Sequence, residues 1–231
     1  MSLWSMSRQS TLIGMKTSTK ASTIAGIRIP DSALARETTA FVRDVESDLL
    51  YHHSLRVFVF GSLQGRRREL AYDPELLYVG AMFHDVGLVD GYQSAADRFE
   101  VDGANFARDF LAERGVPTEA IRVVWDAIAL HTTPGIPQHK EPEVALVTAG
   151  VELDVLGFGY DDITDKQREA VLTALPRVDF KRRIIRAFGS GLAHKPQTAF
   201  GNVKADVLER TLPGYRRPNF CELILNSPFA E

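Results

Sequence analysis

The sequence predicts an all-α protein, built as one bundle of about seven or eight helices. Apolar residues recur at intervals of three and four through most of the chain, and residues typical of helix starts and ends separate these segments. No segment has the alternation of apolar and polar residues that is typical of strands, and the sequence has no internal repeat. With 45% hydrophobic and 25% charged residues, the 231-residue chain has the composition of one globular domain.

The bulk composition limits the classes of function. A net charge of -3 gives no support to a nucleic-acid-binding protein. No apolar run approaches the roughly 18 residues that a membrane span needs. The one cysteine, Cys221, cannot form a disulfide within the chain, which favours a reducing compartment. We therefore expect a cytoplasmic protein with a small-molecule substrate and neither nucleic acid nor membrane as a partner, and we leave a homo-oligomer open.

The chain begins with a segment that differs from the rest. Residues 1–30 are expected to form a flexible leader without the apolar core of a signal peptide, and residues 31–231 to form the helical domain. From Thr38 the pattern becomes helical, with one apolar stripe at a spacing of four that contains Phe41, Val45, Leu49, His53 and Val57. His53 therefore occupies an apolar helix face.

The second helix leads into two polar residues. Asp73-Pro74-Glu75 has the form of a helix start, with an acidic N-cap and proline at the first helical position. An apolar segment then runs into His84 and Asp85, and Gly87 ends the helix. Burial of an imidazole beside a carboxylate is costly unless a partner satisfies both groups. A divalent cation would do so.

Six further helices follow, and one of them carries a further acidic residue on an apolar face. Asp154 aligns with Val147 and Val151 at spacings of three and four, and Gly150 allows a second helix or a ligand to come close. The six helices are predicted at residues 96–114, 118–131, 144–156, 164–175, 181–186 and 203–210.

Four candidate metal ligands emerge from these helices: His53, His84, Asp85 and Asp154. Each one alone has a structural explanation, such as a core histidine bonded to a carbonyl or an aspartate paired with arginine. One ion in the core of the bundle explains all four together. Two imidazoles and two carboxylates suit a divalent transition metal better than Ca or Mg. We expect one ion, with zinc as the first candidate and iron, manganese and nickel as alternatives.

The order of these ligands resembles a known superfamily. The pattern His53, His84-Asp85 and Asp154 is similar to that of the HD-domain metal-dependent hydrolases, which are all-α and hold a metal at these four positions. Over residues 38–200 the chain further resembles the cyanamide hydratase-like branch. The segments that carry this second resemblance are HSLRV at 53–57, FHDVG at 83–87, FEVDGA at 99–104, AIALH at 127–131, LDVLG at 153–157 and LPR at 175–177. Residues 195–199 depart from the branch, because they lack its Trp and His.

The resemblance implies a helical bundle of the HD type with a catalytic metal in its core. The implied activity is a metal-dependent lyase or hydrolase that hydrates a small nitrile, with cyanamide giving urea as the type reaction. Glu100 and His131 are then the candidate catalytic residues, which would move the proton of the attacking water. Without that role, Glu100 would form a surface ion pair, and His131 would be a histidine at a helix C-terminus.

Three other functions stay open at this point. A phosphohydrolase acting on a nucleotide or another phosphomonoester would need cations near the metal, and Arg56, Arg98 and Lys195 are candidates. A di-iron oxygenase would need a second metal. A non-catalytic, metal-containing binding protein would have a closed site without an adjoining cavity.

Overall fold

Helices make up nearly all of the regular structure, which confirms the predicted all-α class. The computed structural model describes residues 22–199, 201 and 203–230. Within these residues a short hairpin, β1 (Thr23–Ile24) and β2 (Ile27–Arg28), precedes ten α-helices. The helices are α1 (Ala33–Val45), α2 (Asp48–Arg67), α3 (Pro74–Phe83), α4 (Phe99–Ala112), α5 (Thr118–Leu130), α6 (Pro142–Val151), α7 (Asp165–Ala174), α8 (Phe180–Leu192), α9 (Val203–Thr211) and α10 (Phe220–Leu225).

The leader expected at residues 1–30 is described only in its last part. Residues 1–21 lie outside the described residues. Residues 22–30 contain the β1–β2 hairpin, whose Ile27 is buried and belongs to the main hydrophobic core. The sequence pattern gave no strand signal here, because each strand has only two residues.

The described residues form more helices than the seven or eight expected, and one reason is that the predicted first helix is two helices. The backbone of Glu46 is extended between α1 and α2, and the side chain of Ser47 accepts a hydrogen bond from the Leu50 amide to cap α2. The apolar stripe continues across this break and concealed it. The short helix α10, capped by Asn219, was also not predicted.

Helix α2 is the central helix of the bundle. Its residues from Leu50 to Gly65 are almost all buried, and it packs against α3 and α6. Gly150 permits the close approach of α6, because a Cβ atom at this position would lie 2.2 Å from the carbonyl oxygen of Val57. This contact agrees with the role expected for Gly150. It fixes the distance between the helix that carries His53 and the segment that carries Asp154.

The chain around His84 and Asp85 leaves the α-helical form. Helix α3 ends at Phe83, and the two polar residues precede a short 3-10 turn, Val86–Leu88. A Cβ atom at Gly87 would lie 1.9 Å from the carbonyl oxygen of Phe99, so glycine lets the start of α4 pack directly on this turn. Helix α6 likewise continues into a π-helical turn, Glu152–Leu156, which carries Asp154.

No helix in the described part of the chain has both the length and the apolar composition needed to cross a membrane.

Candidate metal centre

Three of the four predicted ligands converge in the core. The Nε2 atoms of His53 and His84 lie 3.2 Å apart, and Asp85 Oδ2 lies 3.7 Å from the first and 3.4 Å from the second. All three side chains are buried. Four ligands at about 2.0–2.1 Å around a tetrahedral zinc would be separated by about 3.4 Å from one another. The three observed separations are close to that value, so the group could hold one ion.

The hydrogen bonds of the two histidines determine which nitrogen atoms are free. His84 Nδ1 lies 2.7 Å from the carbonyl oxygen of Ala81, which can only accept, so Nδ1 carries the proton. His53 Nδ1 lies 2.7 Å from Asp154 Oδ2 and donates to it in the same way. When both rings are neutral, the two Nε2 atoms, 3.2 Å apart, carry the lone pairs. A cation could then accept both lone pairs.

The charges at the site also favour a cation. Burial lowers the pKa of His84 to about 3, although the negative charge of Asp85 opposes this shift, and the nearby His131 and His53 lower the pKa further. The imidazole of His84 is therefore neutral near pH 7. Both carboxylate oxygens of Asp85 are buried, and neither has a hydrogen-bond partner among the described residues. An unpaired buried carboxylate is costly. A divalent ion would satisfy the carboxylate and the imidazole lone pairs together, so these residues fit the metal that the sequence implied.

The fourth predicted ligand, Asp154, lies on the other side of His53. Its Oδ2 accepts hydrogen bonds from His53 Nδ1 and Arg56 Nη2, and its Oδ1 accepts from Arg56 Nε and Arg177 Nη1. It does not belong to the group of three that converges on the histidine Nε2 atoms. Its coordination of the metal remains a prediction from the sequence.

Two arginines neutralise Asp154. Burial alone would raise the pKa of this carboxyl group, but the positive charges of Arg56 and Arg177 and the hydrogen bond from His53 hold it well below its usual range. Arg56 is completely buried, and its guanidinium also lies over the ring of Phe180. The LPR segment at 175–177 belonged to the sequence resemblance, but nothing in the local pattern indicated that Arg177 pairs with Asp154.

His131 presents a free nitrogen beside this group. Its Nδ1 donates to the carbonyl oxygen of Ile128 at 2.6 Å, so in the neutral ring the Nε2 atom carries the lone pair. This Nε2 is buried and lies 3.8 Å from Asp85 Oδ1, and no residue in the described part of the chain forms a hydrogen bond with it. His131 was predicted as a catalytic residue, and the structure brings it to the site with a nitrogen that can accept a proton.

Glu100, the other predicted catalytic residue, does not line the cavity next to the histidines. Its carboxylate is buried and accepts hydrogen bonds from Arg98 and from the hydroxyl group of Thr132. Thr132 does line the cavity. Contact between Glu100 and the cavity therefore runs through Thr132, and a direct catalytic role of Glu100 remains a prediction.

A cavity of 240 Å³ adjoins the three ligands and His131. Its other walls come from segments far apart in the sequence, with the side chains of Thr132, Pro134, Val151, Glu152, Val155, Leu156, Phe158, Phe188, Pro218, Phe220 and Leu223. Most of these are apolar, and no lysine or arginine is among the described residues that line it. The sequence pattern did not identify these walls, since no local motif links α8 and α10 to the histidines.

Two acidic residues near the site were also missed. Glu152 lines the cavity, and burial raises the pKa of its carboxyl group. Glu46 is buried at the end of α1, where burial and then the nearby negative charge of Asp85 raise the pKa of its carboxyl group well above the usual value. The proximity of the Glu46 carboxyl group to Asp85 adds to the electrostatic preference for a cation.

Comparison with known proteins agrees with this geometry. No curated protein matches the chain. A family model, the HD domain, matches residues 50–156, a range that begins in α2 and ends in the turn that carries Asp154. HD domains bind divalent metals and are generally metal-dependent hydrolases. The match therefore identifies an HD domain at residues 50–156, and the described helical fold and the buried group of His53, His84 and Asp85 agree with it.

Proposed function

We propose that this HD domain belongs to a metal-dependent enzyme that adds water to a small, uncharged substrate, and that the substrate is a nitrile of the cyanamide class. The metal-binding group and the HD match support the metal-dependent part of the proposal. The nitrile substrate rests on the sequence resemblance in segments 83–87, 99–104 and 127–131.

The apolar cavity beside the metal-binding group is the observation that carries the choice of an uncharged substrate. At 240 Å³ it has room for roughly eight water-sized groups of ~30 Å³ each. This is below the range of about 300–1,000 Å³ that is usual for drug-sized ligands. Cyanamide would fill only a part of this space. A nitrile with a short apolar substituent would also bury its substituent against Val155, Leu156 and Phe188.

The side chains at the cavity can supply most of the required chemistry. A divalent metal held by His53, His84 and Asp85 would lower the pKa of water and polarise the substrate. In the neutral ring, His131 Nε2 has no hydrogen-bond partner among the described residues, so it can accept the proton that the attacking water loses and pass it to the nitrile nitrogen. Because the cavity walls are mostly apolar, they limit competing water around the reacting atoms.

Phosphoester hydrolysis, which is also found among HD domains, is less well supported by the cavity. The three cations considered for binding a phosphate are engaged elsewhere: Arg56 with Asp154, Arg98 with Glu100, and Lys195 with Asp102 at 2.5 Å. None of them lines the cavity. A transferring phosphoryl group carries negative charge, and Glu152 and Asp85 at the cavity would repel it.

The decisive experiment is a substrate panel with zinc-loaded, iron-loaded and manganese-loaded protein. We expect urea from cyanamide or an amide from a short aliphatic or aromatic nitrile, and little phosphate from a panel of nucleotides. The variant His131→Gln should bind metal normally and lose at least about 100-fold in rate if His131 is the base. Phosphate release without nitrile hydration would overturn the proposal in favour of a phosphohydrolase. No turnover in either panel would favour a non-catalytic metal-binding protein.

A further inference from the structure

The carboxylate of Asp154 has no hydrogen-bonding capacity left for a metal ion. A carboxylate accepts about four hydrogen bonds, two at each oxygen. Oδ1 accepts from Arg56 Nε at 2.8 Å and Arg177 Nη1 at 2.6 Å, and Oδ2 accepts from Arg56 Nη2 at 2.9 Å and His53 Nδ1 at 2.7 Å. Asp154 is completely buried, so no water competes for these sites.

Asp154 lies on the side of the His53 ring that faces away from the metal-binding group, and this position indicates a different role for Asp154. The carboxylate contacts Nδ1, whereas the metal-binding group uses Nε2, on the opposite side of the imidazole ring. A hydrogen bond to Nδ1 keeps the proton there and leaves the lone pair on Nε2, which is the form that binds a metal. Arg56 and Arg177 hold the carboxylate in place.

We infer that Asp154 is a positioning residue that fixes the tautomer and orientation of His53, and that the metal is held by His53, His84 and Asp85 without Asp154. The inference deepens the proposed metal-dependent function and rests on it. It also replaces the fourth-ligand role expected for Asp154 from the sequence. A site with three protein ligands has an open position for water and substrate, as catalytic zinc sites do.

The variant Asp154→Asn should change the tautomer of His53, because an amide has one oxygen and one NH2 group in place of two carboxylate oxygens. An NH2 group in the place of Oδ1 would face two guanidinium donors, which cannot give up their protons. In the place of Oδ2 it would face one guanidinium donor and His53, whose imidazole can change tautomer. We therefore expect the NH2 group to face His53 and to move its proton to Nε2.

Imidazole 15N chemical shifts of the metal-free protein test this step directly. In the wild-type protein we expect His53 protonated at Nδ1, and in Asp154→Asn we expect it protonated at Nε2. The matched control is Asp85→Asn, which removes a proposed ligand but should leave the Nδ1 tautomer of His53 unchanged. A wild-type His53 protonated at Nε2, or an unchanged tautomer in Asp154→Asn, would overturn the inference.

Zinc binding provides the second measurement. Competition with a chelator should show a loss of about 10–100-fold in affinity for Asp154→Asn, the usual effect of a partner behind a ligand, and a larger loss for Asp85→Asn. A crystal structure of the zinc-loaded wild-type protein should have both Asp154 oxygens well beyond the ~2.0–2.2 Å of a Zn–O bond. An Asp154–zinc bond would overturn the inference even if the variants do not fold. None of these measurements uses a substrate, so failure of the nitrile assay leaves their result intact.

Discussion

Arg56 places a positive charge in the centre of the bundle, and its replacement by methionine measures what that charge contributes. The side chain is completely buried. Two of its nitrogen atoms donate to the two oxygens of Asp154, and Nη1 donates to the carbonyl oxygens of Leu175 at 3.3 Å and Pro176 at 3.1 Å. Methionine retains a long apolar side chain and removes all of these donors.

The expected loss follows from the contacts. Hydrogen bonds to charged groups contribute about 1.5–3 kcal/mol each, and removal of one partner from a buried ion pair costs about 3–5 kcal/mol. Arg177 and His53 still donate to Asp154 in the variant, so its charge stays partly balanced. We therefore expect the low end, a decrease of about 3 kcal/mol in the free energy of unfolding. That is a large fraction of the total of about 5–15 kcal/mol for a typical domain.

Denaturant unfolding of the metal-free protein, followed by circular dichroism, measures this difference. The matched control is Arg66→Met, an exposed arginine near the end of the same helix, for which we expect a change within about 0.5 kcal/mol. A loss below about 1 kcal/mol for Arg56→Met, which is the range of an exposed ion pair, would refute this account of the buried cluster. So would an equal loss in the control.

Three further predictions concern packing, pH and catalysis. Gly150→Ala places a Cβ atom 2.2 Å from the carbonyl oxygen of Val57. We expect the free energy of unfolding to fall by about 1–2 kcal/mol, because the overpacking cost exceeds the gain in helix propensity. We also expect weaker zinc binding. Unchanged denaturation and zinc affinity would contradict the close approach of the helices. His84 has a pKa of about 3 when folded against its usual 6.5, so between these values the unfolded chain binds the extra proton and stability falls as the pH falls. In metal-free protein, the wild type should therefore lose stability relative to His84→Asn by about 1.4 kcal/mol for each pH unit below pH 6.5. A difference in the free energy of unfolding that does not change with pH would contradict the lowered pKa of His84. Glu100→Gln should still bind zinc. Because Glu100 contacts the cavity through Thr132, we expect turnover to fall by about 10-fold or less. A loss as large as that for a catalytic base would assign Glu100 a direct chemical role.

Local sequence signals determined most of the helical architecture. Asp73 caps α3 with Pro74 at its first position, and Thr164 and Gln167 form the capping box of α7, as their residue types predict. Such signals depend only on neighbours within a few residues. The break between α1 and α2 was missed for the same reason, since the apolar stripe runs across it and the Ser47 cap is a weaker signal than the continuous periodicity.

The sequence also determined which residues are candidates for the metal. His53, His84 and Asp85 were selected because each is a polar group on an apolar face, and burying such a group needs a partner. Selection by this argument identifies a residue as unusual without identifying its partner. It therefore grouped Asp154 with the other three, and it gave no indication that two arginines and an imidazole donate to the carboxylate of Asp154.

Only the tertiary structure decided the partners and the shape of the site. Arg177 lies 23 positions from Asp154 along the chain, and His53 lies 101 positions from it, yet both donate to the same carboxylate. The apolar cavity beside the histidines likewise joins the turn after α6 with α8 and α10. Side-chain type and periodicity encode which face of a helix is buried. Which side chains meet there depends on how the helices pack, and that is set by contacts between residues distant in the sequence.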